Sequence, residues 1–172
     1  MILQGFKEKS NKKYLNKLLS KREIEINDNK VESLGVIVNI DEFDDLDKFV
    51  NFSEALNIRS NRLKIITFTE NEKEQVLSWD SCFNPSDFGW KGAVKNVELS
   101  GFLNKNFDLL ISFYEKDITE IKLITALSQS KFKIGVFQPD ERLNDLIIKT
   151  STKEINLFKD EVVKYLTILN KI

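Results

Sequence analysis

The stretch from Phe107 to Phe137, FDLLISFYEKDITEIKLITALSQSKFKIGVF, constrains the fold more than any other part of the chain. A short apolar run from Asp108 to Phe113 leads into a helical pattern from Ile118 to Gln129, and a second short run from Phe132 to Phe137 closes the unit. Two buried strands joined by a helix form a parallel crossover, and such crossovers are right-handed in nearly all sheets. This one unit therefore predicts an α/β architecture.

The same pattern recurs on either side of it. Leu34 to Ile40 (LGVIVNI), Leu63 to Thr69 (LKIITFT) and Asp145 to Lys149 (DLIIK) read as short buried strands, with Val76 to Trp79 as an additional edge strand. Between the first two, Phe43, Leu46, Phe49, Val50 and Leu56 recur at helical spacing, and Asp41, Glu42, Asp44, Asp45 and Asp47 crowd the start of that helix. Val97 to Lys105 fits a short helix. Glu154 to Ile172 fits a terminal helix with Ile155, Phe158, Val162, Leu166 and Leu169 on one stripe. The expected fold is a three-layer Rossmann-like open sheet, mostly parallel, of about five strands, in the order 3-2-1-4-5, with a flavodoxin-like order as the alternative. With 172 residues, 41% of them apolar, there is material for one sizeable core and no room for a second full domain.

Residues 34–172 are assigned to that domain and residues 1–33 to a basic N-terminal helical segment. From Asn11 to Arg22, Tyr14, Leu15, Leu18 and Leu19 fall on one helical face. Lys7, Lys9, Lys12, Lys13, Lys17, Lys21 and Arg22 face only Glu8 in charge, although the whole chain has a formal net charge of −1. Such a helix either packs on the domain edge with a solvated basic face or offers an arm to RNA or an anionic lipid surface.

Several chemistries are excluded. The chain has no histidine, so no Ser/His or Cys/His pair, histidine base or histidine-ligated metal is available. Its one cysteine, Cys82, excludes an internal disulfide and multi-cysteine metal sites, and is read as a buried inert thiol. Neither GxGxxG nor GxxxxGK[ST] occurs, so no cofactor is expected. No apolar run reaches the 18–20 or so residues that span a bilayer, and no signal peptide is recognisable, so the expected location is the cytoplasm.

Candidate ligand-binding residues lie where open α/β sheets bind ligands, beyond the carboxyl ends of the strands. Asp41 and Asp44 follow the first strand, and both would reach a common magnesium ion if both pointed into the crevice. The helix dipole offers an alternative, purely structural reason for the same acids. Tyr114 and Glu115 end the central strand and would face the same crevice. Residues 81–96, SCFNPSDFGWKGAVKN, mix turn formers with large aromatics. Trp90 and Lys91 are the candidates there, for stacking and for charge, against the commoner role of aromatic anchors in a pinned loop.

FGWKG followed by FDLLISFY, SQSKFKIGVF and NDLIIK resembles an uncharacterised family of small bacterial proteins, a domain of unknown function, over most of the chain after Leu34. That resemblance implies no activity and no site residues. A more distant similarity, carried by Asp108 to Ile111, Ser128 to Ser130 and Lys131 to Gly135, is to the N-terminal domain of heptosyltransferase-type glycosyltransferases. The sugar-nucleotide domain of such enzymes has no counterpart in this sequence, so the similarity implies fold rather than activity. Two functions are thus expected in order: a non-catalytic binding or interaction protein, and a small carboxylate-dependent transferase acting on a sugar or phosphorylated substrate.

Overall fold

In the computed structural model, which describes residues 2–24, 27–71 and 81–172, the chain forms a six-stranded sheet in the order β3-β2-β1-β4-β5-β6. The strands are β1 (Leu34–Asn39), β2 (Leu63–Phe68), β3 (Cys82–Phe83), β4 (Leu109–Phe113), β5 (Phe132–Val136) and β6 (Leu146–Ile148). Every pairing between them is parallel. Five α-helices are described: α1 (Ile2–Ser20), α2 (Asp47–Ala55), α3 (Val97–Leu103), α4 (Thr119–Leu127) and α5 (Ile155–Ile168). The Rossmann-like expectation is met, with six strands in place of about five.

The continuous apolar runs of β1 and β4 follow from burial on both faces, since helices cover each side of a parallel sheet. Alternation divides their residues. Leu34, Val36, Val38, Leu109, Ile111 and Phe113 pack with Phe49 and Phe52 of α2 and Phe158, Val162 and Leu166 of α5. Ile37, Leu110 and Tyr114 point the other way, toward Leu15 and Leu19 of α1, Leu99 and Phe102 of α3, and Ile121, Leu123 and Ile124 of α4. On the first face Phe113 meets Phe49 and Phe158 edge-on at centroid separations of 5.3 and 5.2 Å. Such aromatic pairs add about 0.5–1.5 kcal/mol beyond their buried area.

Four expected elements are corrected. α2 starts at Asp47, so residues 41–46 form a turn ahead of the helix in which Phe43 and Leu46 still reach the core. α1 begins at Ile2 rather than near Asn11, because its first turns expose Ile2, Leu3 and Phe6 and so show no buried stripe. Leu169 lies past the end of α5 and is exposed. Cys82 and Phe83 form a strand, β3, within the stretch read as a loop. The edge strand expected at Val76 to Trp79 lies outside the described residues.

α1 is joined to the sheet by more than apolar contact. The segment Trp90–Gly92 passes beside it with two successive left-handed residues, Lys91 (φ 54°) and Gly92 (φ 69°). That turn aims two backbone N–H groups at the helix: Lys91 donates to Ser10 Oγ at 3.3 Å and Gly92 to the buried Asn11 Oδ1 at 2.9 Å. A Cβ at position 92 would lie 2.8 Å from the Tyr14 ring. Gly92→Ala is therefore expected to cost about 2 kcal/mol or more, from the left-handed backbone and the displaced Tyr14 together. Urea unfolding measures this; a loss below about 0.5 kcal/mol, the level of neutral surface changes, would contradict the docking described.

Candidate functional site

At the carboxyl edge of the sheet the chain leaves β1 through the buried Asn39 and turns at once. Asn39 orients the two acids that follow it. Its Oδ1 accepts the Asp41 N–H at 3.1 Å, and its Nδ2 donates to Glu42 Oε2 at 2.7 Å. Asp41 is thereby turned toward β2, where Oδ1 accepts the Thr69 hydroxyl at 2.7 Å and Oδ2 accepts the Glu70 N–H at 2.9 Å. Glu42 is turned toward β4, where Oε1 accepts the N–H groups of Glu115 and Lys116 at 3.0 and 3.1 Å.

The other side of the edge is tied in the same manner. Glu115 Oε2 accepts the Thr152 hydroxyl at 2.7 Å and the Thr152 N–H at 3.1 Å, joining the end of β4 to the loop after β6. Lys116 reaches Glu70 at 3.3 Å across the top of β1. Each carboxylate that the strand ends bring together thus ties one loop to the next. A carboxylate that accepts two or three such donors is held in place by them, by up to roughly 1.5–3 kcal/mol a bond where water is excluded and less where it is not.

The candidate residues consequently separate. Asp41 and Glu115 stand at the expected edge, engaged as described. Asp44 is exposed in the turn before α2. Among the described residues, no group of three or more His, Cys, Asp and Glu side chains is placed to hold a metal ion. Tyr114 does not face the crevice: it is fully buried on the α4 side, its hydroxyl 2.7 Å from Thr125 Oγ1. Burial pushes the phenol above its ordinary pKa, against the opposing effect of the Thr125 hydrogen bond. Its position could have been read from alternation, because Leu110, Ser112 and Tyr114 share one face of β4.

Trp90 and Lys91 lie apart from that edge, beside α1. Trp90 is half exposed and borders a shallow groove with Leu3, Lys7 and Pro85. Beyond it, the outward face of α1 presents Lys9, Lys13 and Lys17 to solvent at intervals of four residues, with Lys21 following just past the helix. Among the described residues none of these four makes an ion pair, whereas Lys12 is paired with Glu8 at 3.0 Å. Sequence reasoning located this basic face but gave no weight to Glu42, whose bonding partners lie 73 and 74 residues away.

Residues 7–169 match the family described as "Family of unknown function (DUF6913)", and the chain belongs to that family. No curated protein and no solved structure matches the chain.

The two acidic positions are expected to respond differently to substitution. Glu42→Ala leaves two backbone N–H groups and the Asn39 amide without their acceptor and should cost about 2–3 kcal/mol in denaturant unfolding. Asp44→Ala should change stability by less than about 0.5 kcal/mol. Equal effects would show that the carboxylates do not act as loop ties.

Proposed function

We propose that the protein is a non-catalytic binding or interaction protein on a Rossmann-like scaffold, and that its contact surface is the outer face of α1, recognising an anionic partner, RNA or a lipid surface. The observation that carries this reading is the solvent-facing row Lys9, Lys13 and Lys17, which makes no ion pair, on a helix whose opposite face packs Leu15 and Leu19 into the core. Like charges four residues apart destabilise a helix by roughly 0.2–0.5 kcal/mol per pair. The row therefore costs the helix stability and gives nothing back inside the molecule. A phosphate-bearing partner supplies the missing counter-charge through contacts that are largely independent of sequence and weaken with salt.

The alternative, a carboxylate-dependent transferase acting on a sugar or phosphorylated substrate, has less support because Asp41 and Glu115 already serve as loop ties. No helix of the described residues is long and apolar enough to cross a membrane, so a lipid partner would be met at its surface.

Because α1 contributes to the core, the test replaces side chains rather than deleting the segment. The triple variant Lys9→Gln, Lys13→Gln, Lys17→Gln should keep the melting temperature of the parent and lose retention on single-stranded RNA or on vesicles containing anionic lipid at low salt. For RNA, the salt dependence of binding should flatten by roughly 0.7 in log–log slope for each phosphate contact removed. Retention equal to that of the parent would overturn the proposal.

A further inference from the structure

A second basic feature lies at the opposite, amino edge of the sheet. There a cavity of about 420 Å³ opens between the end of α1, the end of α4 and the start of β5, and its lining includes Arg22, Ser128, Ser130, Lys131, Lys133 and Asp145. Two of its three cations have carboxylate partners. Arg22 is bound to Asp145, and Lys131 pairs with Asp108 at 2.7 Å. Among the described residues the Lys133 ammonium forms no ion pair, although only 4% of the residue is exposed.

Among the described residues the one acceptor of the Lys133 ammonium is the Thr125 carbonyl, at 2.7 Å. That carbonyl lies in the last turn of α4, where helical acceptors run out, so this bond accounts for one of three N–H donors. The other two have no hydrogen-bond partner among the described residues, and the charge has no salt bridge there; Asp145, whose carboxylate accepts the Lys133 backbone N–H at 2.7 Å, favours it only through space. A buried ammonium in that condition either gives up its proton or finds an anion. Burial, with the nearby Arg22 charge, brings its pKa down to about 8, so at neutral pH it stays mostly charged. Ser128, itself buried, and Ser130 stand on the same cavity with their hydroxyls 2.7 Å apart, and these can turn to donate.

We propose that this cavity binds a small oxyanion, a carboxylate or phosphate group, with Lys133 as its counter-charge and the Ser128 and Ser130 hydroxyls as further donors. The site is independent of the lysine row on the outer face of α1. Where ligands of open α/β sheets usually lie, at the carboxyl edge, Asp41, Glu42 and Glu115 bind the molecule's own loops; the buried ammonium of Lys133 is at the other end.

The test is the melting temperature of the full chain titrated with inorganic phosphate and, separately, with sodium acetate, each against sodium chloride of equal ionic strength. The expected result is a saturable rise with at least one oxyanion and not with chloride. Acetate alone would identify a carboxylate site, and phosphate alone a phosphate site. Lys133→Met, which removes the charge at similar length, should melt no lower than the parent without ligand and should lose the rise. The Ser128→Ala, Ser130→Ala double variant, which keeps Lys133, should weaken the phosphate or acetate midpoint about tenfold. The Lys9, Lys13, Lys17 triple variant should retain the rise in full.

From pH 7 to 9, each named as about one unit either side of the Lys133 value, the phosphate effect should fall as Lys133 loses its proton, although phosphate itself gains charge. The charged groups around Lys133 are Arg22 and Glu23 after α1, Lys131 leading into β5 with its partner Asp108, and Asp145 ahead of β6. No saturable rise, or an equal rise in Lys133→Met, would overturn the proposal.

Discussion

Glu42 closes the point at which a doubly wound sheet is normally open. In the observed order the chain winds outward from β1 in one direction and from β4 in the other, so the crevice between β1 and β4 is the topological switch point. Backbone N–H groups at such a point are free to meet an anionic ligand. Here Glu115 and Lys116 donate theirs to the Glu42 carboxylate, which Asn39 holds from below. The side chain supplies from within the chain what a ligand's phosphate supplies in a dinucleotide-binding sheet. The remaining ties, Asp41 to the end of β2 and Glu115 to the loop after β6, extend the same arrangement outward across the edge.

How far these features were legible in the sequence depends on how local their causes are. The runs LGVIVN and LLISF announce buried parallel strands because each residue must be apolar when both faces are covered. The strand–helix–strand unit placed β4 and β5 side by side, and the pairing is observed. β3 was not legible, since two residues, Cys82 and Phe83, cannot display a period. Phe43 and Leu46 fit the helical period yet precede α2, because a turn that dips into the core can imitate one helical face.

For the candidate site the division is sharper. Tyr114 was misplaced by attention to its position at the strand end, where alternation was the better guide. Glu42 was passed over because composition makes an acidic run look uniform: only the Asn39 side chain, and strand ends far along the sequence, distinguish it from Asp44. Lys133 left a trace that reasoning by runs smoothed over. A charged residue within KFKIGVF, on the α4-facing side of β5, breaks an otherwise apolar strand. A lysine is almost never buried there without a partner.

The two basic features also obey different electrostatics. The α1 row lies in water, where a Debye length near 8 Å at physiological ionic strength screens each charge from all but a close partner. The proposed binding there would be spread over several weak contacts and should decline steeply with added salt. Lys133 sits behind protein on most sides, where screening is slight and desolvation dominates, so its demand for a counter-charge persists in salt but depends on pH. If both proposals hold, one surface governed by ionic strength and one cavity governed by protonation would take a large anionic partner and a small anion without either site competing for the other's ligand. Arg22, which follows α1, is bound to Asp145 on the cavity wall.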